Sequence, residues 1–365
     1  MTNGLLNSVA RLLNKFMSMF WKQNNNRNQH CVYVTNQGSN SISQYQIDAY
    51  GSLAPMSDAS IAAGTTPVHI AIAPSAKYAY VANQGGNNIS QFEINEYGAL
   101  KPLATPAIAG TSPVAIAIDP SGRYAYVANS SSNEVSQYFI GEDGVLSAMS
   151  PATVVTGVIP VALIVDTSGK FVYVVNNGSY DISQYVITEN GSLMPMSLPT
   201  IKAGTSPRDI AIDPLGRYLF VVNRSSGDIS QYSVNSDGSL TSFDTTVAAG
   251  KHPISICIAP SGKNAYVVNQ NENSISQYTL HENGSLMPMQ PAMVASLVTP
   301  VSIALSSSGK NAYVTNISSN DVSQYAIGED GGLGYIPLNK WGDFTISSGV
   351  SPRGVIAIEL KTCVT

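Results

Sequence analysis

The sequence predicts an all-β fold: a single seven-bladed β-propeller of four-stranded blades. Two observations carry that prediction. An aromatic-Val-x-Asn motif occurs seven times, beginning at Tyr33, Tyr80, Tyr126, Tyr173, Phe220, Tyr266 and Tyr313, with spacings of 47, 46, 47, 47, 46 and 47 residues. The same punctuation then returns in every copy. A Ser-Gln-aromatic triplet (Ser43-Gln44-Tyr45 in the first copy) is followed by a Gly-x-Leu turn (Gly51-Ser52-Leu53) and a proline that opens a short apolar run, as in Pro113-Val114-Ala115-Ile116-Ala117-Ile118. Four short strands every ~47 residues is the spacing of propeller blades.

Each unit reads as four strands in order. The proline-led run is strand A, whose small and β-branched residues suit a strand buried on both faces. A Ser-Gly-Lys/Arg turn leads to strand B, the aromatic-Val-x-Asn segment. A Ser/Asn/Gly loop leads to strand C, and the Gly-x-Leu turn leads to outer strand D. The chain enters at strand B of blade 1, from Cys31, with no strand A before it. The missing strand stands at the other end, as Pro352-Arg353-Gly354-Val355-Ile356-Ala357-Ile358. The C-terminal strand is therefore expected to pair into the N-terminal blade and close the ring.

The propeller is assigned residues 31–365 and is preceded by residues 1–30, read as an amphipathic helix and an Asn-rich linker. Asn7, Arg11, Asn14, Lys15, Ser18 and Lys22 follow helical spacing, with Leu5, Leu6, Val9, Leu12, Leu13, Phe16, Met17 and Phe20 filling the other side. No acidic residue occurs before Asp48. A basic amphipathic helix suits either a membrane interface or a berth on the propeller. The pattern of a secretory signal is missing, so the expected location is cytoplasmic, with peripheral membrane contact through residues 1–22 left open.

Charged residues make up 11% of the 365-residue chain and the net charge is −5. A chain without basic runs is poorly equipped for nucleic acid, whose backbone demands clustered cations. The four histidines, His30, His69, His252 and His281, show no metal-ligand spacing. No His-Glu-x-x-His, Gly-x-Ser-x-Gly or phosphate-loop motif is present, so no metal and no cofactor are expected. Opposite charges interleave on the A–B and C–D turns, giving that face no net field.

These repeats resemble the Tyr-Val-Thr-Asn repeat propellers, with Tyr33-Val34-Thr35-Asn36 and Tyr313-Val314-Thr315-Asn316 as literal instances. More broadly, residues 31 to 360 resemble the seven-bladed lactonase family, which includes bacterial 6-phosphogluconolactonases. The resemblance implies a site at the channel mouth built from two consecutive blades. One blade gives a His after the strand A proline; the next gives an Arg at the equivalent place and a Glu after the strand B Asn. Arg208 matches the Arg. The His position holds Val161 and the Glu position holds Arg224. An alkyl group and a cation have replaced the acid-base pair, and neither moves a proton at neutral pH.

A residue present in all seven copies is scaffold by default, so function is sought where one copy departs. After the strand A proline the copies read Val68, Val114, Val161, Arg208, Ile254, Val301 and Arg353. Two arginines nearly across one ring suit an anionic ligand near the axis, and Arg224 stands in the same blade as Arg208. His69 and Asp209 occupy the following position, where the other copies have Ala, Ser or Gly. From Leu333 to Pro352 the gap is 19 residues, against 13 or 14 in the other copies, and the insertion includes Tyr335, Trp341 and Phe344. Those aromatics suit either a contact at the mouth or a seal on the closing blade.

The expected function is therefore a binding or interaction scaffold, with an anionic small molecule or a protein partner at a mouth formed by Arg208, Arg353, Arg224, His69 and Trp341. The alternative is a sugar-lactone hydrolase with a non-standard base, Asp209 or His69. Cys31 and Cys363 flank the closure and are candidates for a disulfide under oxidising conditions.

Overall fold

In the computed structural model, which describes residues 29–336 and 344–360, each repeat is an antiparallel sheet ordered A-B-C-D. Blade 5 is representative: strand A is Pro207–Ile212, B is Tyr218–Asn223 and C is Asp228–Val234, with D in two pieces, Leu240–Ser242 and Val247–Ala248. Strand A of each blade touches strand A of the next, from blade 1 round to blade 7 and back to blade 1, so the seven first strands enclose the channel.

Closure follows the sequence expectation. The C-terminal strand Pro352–Leu360 pairs antiparallel with Gln29–Asn36, the strand B of blade 1. Pairing begins at Gln29 rather than Cys31, because the last strand continues past Ile358 and offers Glu359 to His30 and Leu360 to Gln29. Strand B is the most deeply buried element; Cys31 to Asn36 are all 0% exposed. Both its faces pack on neighbouring blades, which is why it reads as a near-continuous apolar run.

The residues common to all copies are inter-blade and intra-blade fasteners. Tyr33 donates its hydroxyl to the Gly98 carbonyl of the next blade at 2.5 Å, and Tyr80, Tyr126, Tyr173, Tyr266 and Tyr313 do the same to Gly144, Gly191, Gly238, Gly331 and Gly51. Blade 5 has Phe220 at this position and forgoes the bond. Each strand C glutamine accepts from the next blade, as Gln44 does from the Leu100 N–H at 2.7 Å and Gln324 from Leu53 at 2.6 Å. The strand B asparagine donates to a serine in strand C, as Asn223 does to Ser230 at 2.9 Å. Such buried polar groups are tolerable because most of them meet a partner, Oδ1 of Asn83 and of Asn129 being exceptions.

The sequence-level helix and linker of residues 1–28, Trp341 and Cys363 lie outside the described residues. Cys31 is fully buried between blades 1 and 2, and burial pushes its thiol up to about 12. Among the described residues, no helix is long and apolar enough to cross a membrane.

Candidate functional site: the arginine-lined channel mouth

The residue after the strand A proline sits at a break in the ladder. In blade 5, Pro207 pairs with Asn223 and Asp209 with Val222, so Arg208 is the extra residue of a β-bulge. A bulge of this kind turns a side chain away from its regular direction. The corresponding break in blade 1 carries Arg353. Five aliphatic residues and these two arginines thus form the innermost ring of one mouth.

A second ring comes from the residue after the strand B asparagine, and it holds the cations in place. Arg353 donates from Nε to Oε1 of Gln37 at 2.9 Å. Arg224 donates to Oε1 of Gln270 at 3.4 Å. Arg208 makes no hydrogen bond or ion pair among the described residues. Burial, followed by the fields of Arg353 and Arg224, lowers the Arg208 guanidinium to about 10, and Asp209 only partly opposes them. Burial alone lowers Arg353. Arg208 therefore feels two further cations at the mouth, and those two are held by neutral amides rather than carboxylates. Among the described residues the single side-chain ion pair is Arg217 with Asp213, in an A–B turn. Such an arrangement leaves the positive charge available to an anion.

Asp209 and His69 bridge neighbouring blades. Asp209 accepts from the Ile210 N–H and, across the blade boundary, from the Ile256 N–H, both at 2.9 Å. His69 uses Nδ1 to accept from the Ile116 N–H at 3.4 Å. Those N–H groups belong to the free edge of a first strand, which has no ladder partner on the channel side. Both side chains are surrounded by protein yet still touched by solvent, as expected inside a narrow channel. Burial raises the Asp209 carboxyl above the usual carboxylate range, with the backbone N–H groups and Arg208 opposing. Burial pushes the His69 imidazole down to about 4, so it is neutral at pH 7. With Nδ1 occupied as an acceptor, the ring carries its proton on Nε2 and offers a donor to the channel.

His69 has a measurable consequence for stability. Its folded value lies below that of the unfolded chain, about 6.5, so the stability that it contributes is present above that pH and is lost as the pH falls towards 4. The loss is up to about 3 kcal/mol. His69→Ala, which installs the residue of blades 3 and 4, is expected to flatten the fall of melting temperature between pH 6.5 and 4. An unchanged profile would reject this account.

The other candidates separate from this cluster. Tyr335 and Phe344 meet in a tilted pair at 4.0 Å between centroids, Tyr335 stacks on Tyr325 at 5.0 Å, and its hydroxyl donates to the Ala295 carbonyl at 2.6 Å. These contacts join the outer part of blade 7 to blade 6, a seal rather than a mouth. Arg224 also lines a cavity of about 530 Å³ between blades 5 and 6, with Gly227, Lys251, His252 and Glu272. A larger cavity, about 1110 Å³, opens on the opposite face between blades 7 and 1, where Asp48, Lys310 and Glu329 mix both charges and no mouth residue takes part. Gln37 and Gln270 escaped the sequence reading; comparing the seven residues after the strand B asparagine would have found them. No group of residues suited to hold a metal ion occurs among the described residues.

A family model for the seven-bladed lactonase β-propellers matches residues 24–116, 110–256 and 243–336. The chain belongs to that family. No curated protein sequence matches this lactonase-family chain. Its fold is similar to that of a candidate 6-phosphogluconolactonase from Bacteroides uniformis ATCC 8492, with a TM-score of 0.78 at 20% identity over 91% of this chain and 100% of that one. A candidate 6-phosphogluconolactonase from Bacteroides fragilis NCTC 9343 gives 0.78 at 19% identity over 91% and 98%. The periplasmic gluconolactonase of Pseudomonas aeruginosa gives 0.74 at 17% identity over 92% and 99%. At these identities the likeness is one of fold.

Proposed function

We propose that this lactonase-family propeller hydrolyses a lactone that carries a carboxylate or phosphate, a sugar lactone of the kind named for its neighbours being the first candidate. The observation that carries the reading is the convergence of Arg208, Arg224 and Arg353 on one mouth with no carboxylate paired to them. Family membership weighs towards hydrolysis over the simple scaffold expected from the missing His and Glu.

In this reading Arg224 and Arg353 hold the substrate's anion, and Arg208 faces the lactone carbonyl. Asp209 takes a proton from water as the water oxygen bonds to the carbonyl carbon. Its carboxylate retains lone pairs beyond the two given to backbone N–H groups. The tetrahedral oxyanion is stabilised by the Arg208 guanidinium. The ring C–O bond then breaks and the leaving alkoxide recovers the proton from Asp209. A carboxyl raised above its usual range is better matched to this exchange near neutral pH.

Hydrolysis of 6-phosphogluconolactone and of neutral gluconolactone, followed by pH-stat, tests the proposal. The charged lactone is expected to be preferred at least tenfold, Arg353→Ala is expected to remove that preference, and Arg208→Ala to slow both lactones alike. Equal rates on both lactones, unaffected by Arg353→Ala, would overturn it. Salt-dependent binding of 6-phosphogluconate without turnover would return the protein to the scaffold reading.

A further inference from the structure

Blade 4 departs from the other blades at two positions beside the mouth. The residue before each strand A proline has a left-handed backbone, and across the ring these residues are Thr66, Ser112, Ile159, Ser206, His252, Thr299 and Ser351, with φ between 53° and 60°. Ile159 is the one aliphatic member and is 45% exposed. The B–C turns repeat a second left-handed position, filled by Asn40, Asn87, Asn133, Tyr180, Gly227, Asn273 and Asn320. Each of the five asparagines accepts from the N–H of the left-handed residue in the next blade, at 2.7 to 2.9 Å. Tyr180 forgoes that bond to Ser206 and is 46% exposed.

Neither departure helps the fold. Tyr180 is a bulky side chain at a positive φ where asparagine and glycine are at ease, whereas Ile159 shares its φ with the branched Thr66 and Thr299 and differs from them in exposing an alkyl chain. An exposed aromatic gains little from folding, and the replaced asparagine made a bond between blades. An exposed isoleucine and an exposed tyrosine at left-handed positions beside the mouth are grounds to look for a ligand.

Their location supports this. Asn177, in the same turn as Tyr180, donates to the Pro207 carbonyl at 2.9 Å, directly before Arg208. Gly178 of that turn lies against Val158 and Ile159, so the two loops form one surface. Val158 is 50% exposed, and the half-buried Val161, two residues beyond Ile159, stands in the innermost ring. Four side chains make far less than the ~800 Å² per partner of a stable protein interface. They are of a size to hold one arm of a small molecule.

We infer that the mouth selects an acid bearing an aromatic or branched aliphatic group, with its anion on the arginines and its apolar arm on Val158, Ile159, Val161 and Tyr180. This rests on the anion site proposed above and, for the uncharged part of the substrate, favours an apolar arm over the hydroxyl-bearing arm of a sugar acid. Aromatic stacking on tyrosine and burial of the arm supply the preference.

Calorimetric titration with phenylacetate and gluconate at equal ionic strength tests it, since both are monoanions and differ in the arm. Phenylacetate is expected to bind at least tenfold more tightly. The double variant Ile159→Ser with Tyr180→Asn restores residues of the sister blades, so its melting temperature should not fall. It is expected to lose the phenylacetate preference while its gluconate affinity stays the same. Equal affinities in the wild type, or a preference that survives in the variant, would overturn the inference and leave the anion site standing. Binding of neither acid, or binding of both that Arg353→Ala does not weaken, would overturn the anion site and this inference with it.

Discussion

Replacing Asp209 by serine is expected to lower the rate of lactone hydrolysis by about 10²–10⁴-fold, the usual contribution of a positioned general base. The propeller should stay folded, because blades 6 and 7 carry Ser255 and Ser302 at the same place and build the same strand. A rate loss without a matching fall in melting temperature separates catalysis from scaffolding. The pH dependence gives a second check. Burial raises the Asp209 carboxyl, so the wild-type rate should climb with pH through a value above the ordinary carboxylate range and then level off. That limb should vanish in the variant. Stability runs the other way. A carboxyl raised in the folded state contributes stability below its unfolded value, about 3.9, and loses it as the pH rises through the folded value. Relative to the wild type, Asp209→Ser should therefore gain melting temperature with rising pH across that window. A wild-type rate retained by the serine variant would remove Asp209 from the mechanism.

Truncation after Ser351 is expected to abolish cooperative folding. The deleted strand supplies all of blade 1's channel-side pairing, from Gln29 with Leu360 to Asn36 with Pro352. It also contributes Val355, Ile358 and Leu360 to the packing of blades 1, 2 and 7, each no more than 9% exposed. At about 1.5–3 kcal/mol per buried side chain, three such residues amount to roughly 5–9 kcal/mol. That is comparable with the whole stability of a typical domain, about 5–15 kcal/mol. The loss would also leave strand B of blade 1 as a bare apolar edge, which invites aggregation. A synthetic peptide of residues 350–361 added in trans should restore a melting transition. A truncated chain that melts like the full one would show that closure through this strand does not hold the ring together.

The seven-copy repeat was enough for the sequence alone to determine the fold, because a 47-residue period of strand and turn signals admits few architectures. The same reading found the closure strand, since one end lacked a strand A and the other had one to spare. Arg208 and Arg353 were also legible, as charges in a column otherwise aliphatic. The tertiary structure decided how these residues meet. The approach of Arg224 and Arg353 to Arg208, and the amides of Gln37 and Gln270 that hold Arg353 and Arg224, depend on loops brought together only when the ring closes. The double duty of Asp209 is likewise invisible in sequence, because the Ile256 N–H that it binds is 47 residues away on the free edge of another sheet. The departures at Ile159 and Tyr180 gain their meaning from the backbone. A left-handed φ makes an ordinary residue a costly one, and residue identity does not report φ. Period and pattern are local properties that survive in one dimension, whereas a site shared between blades is set by packing at long range.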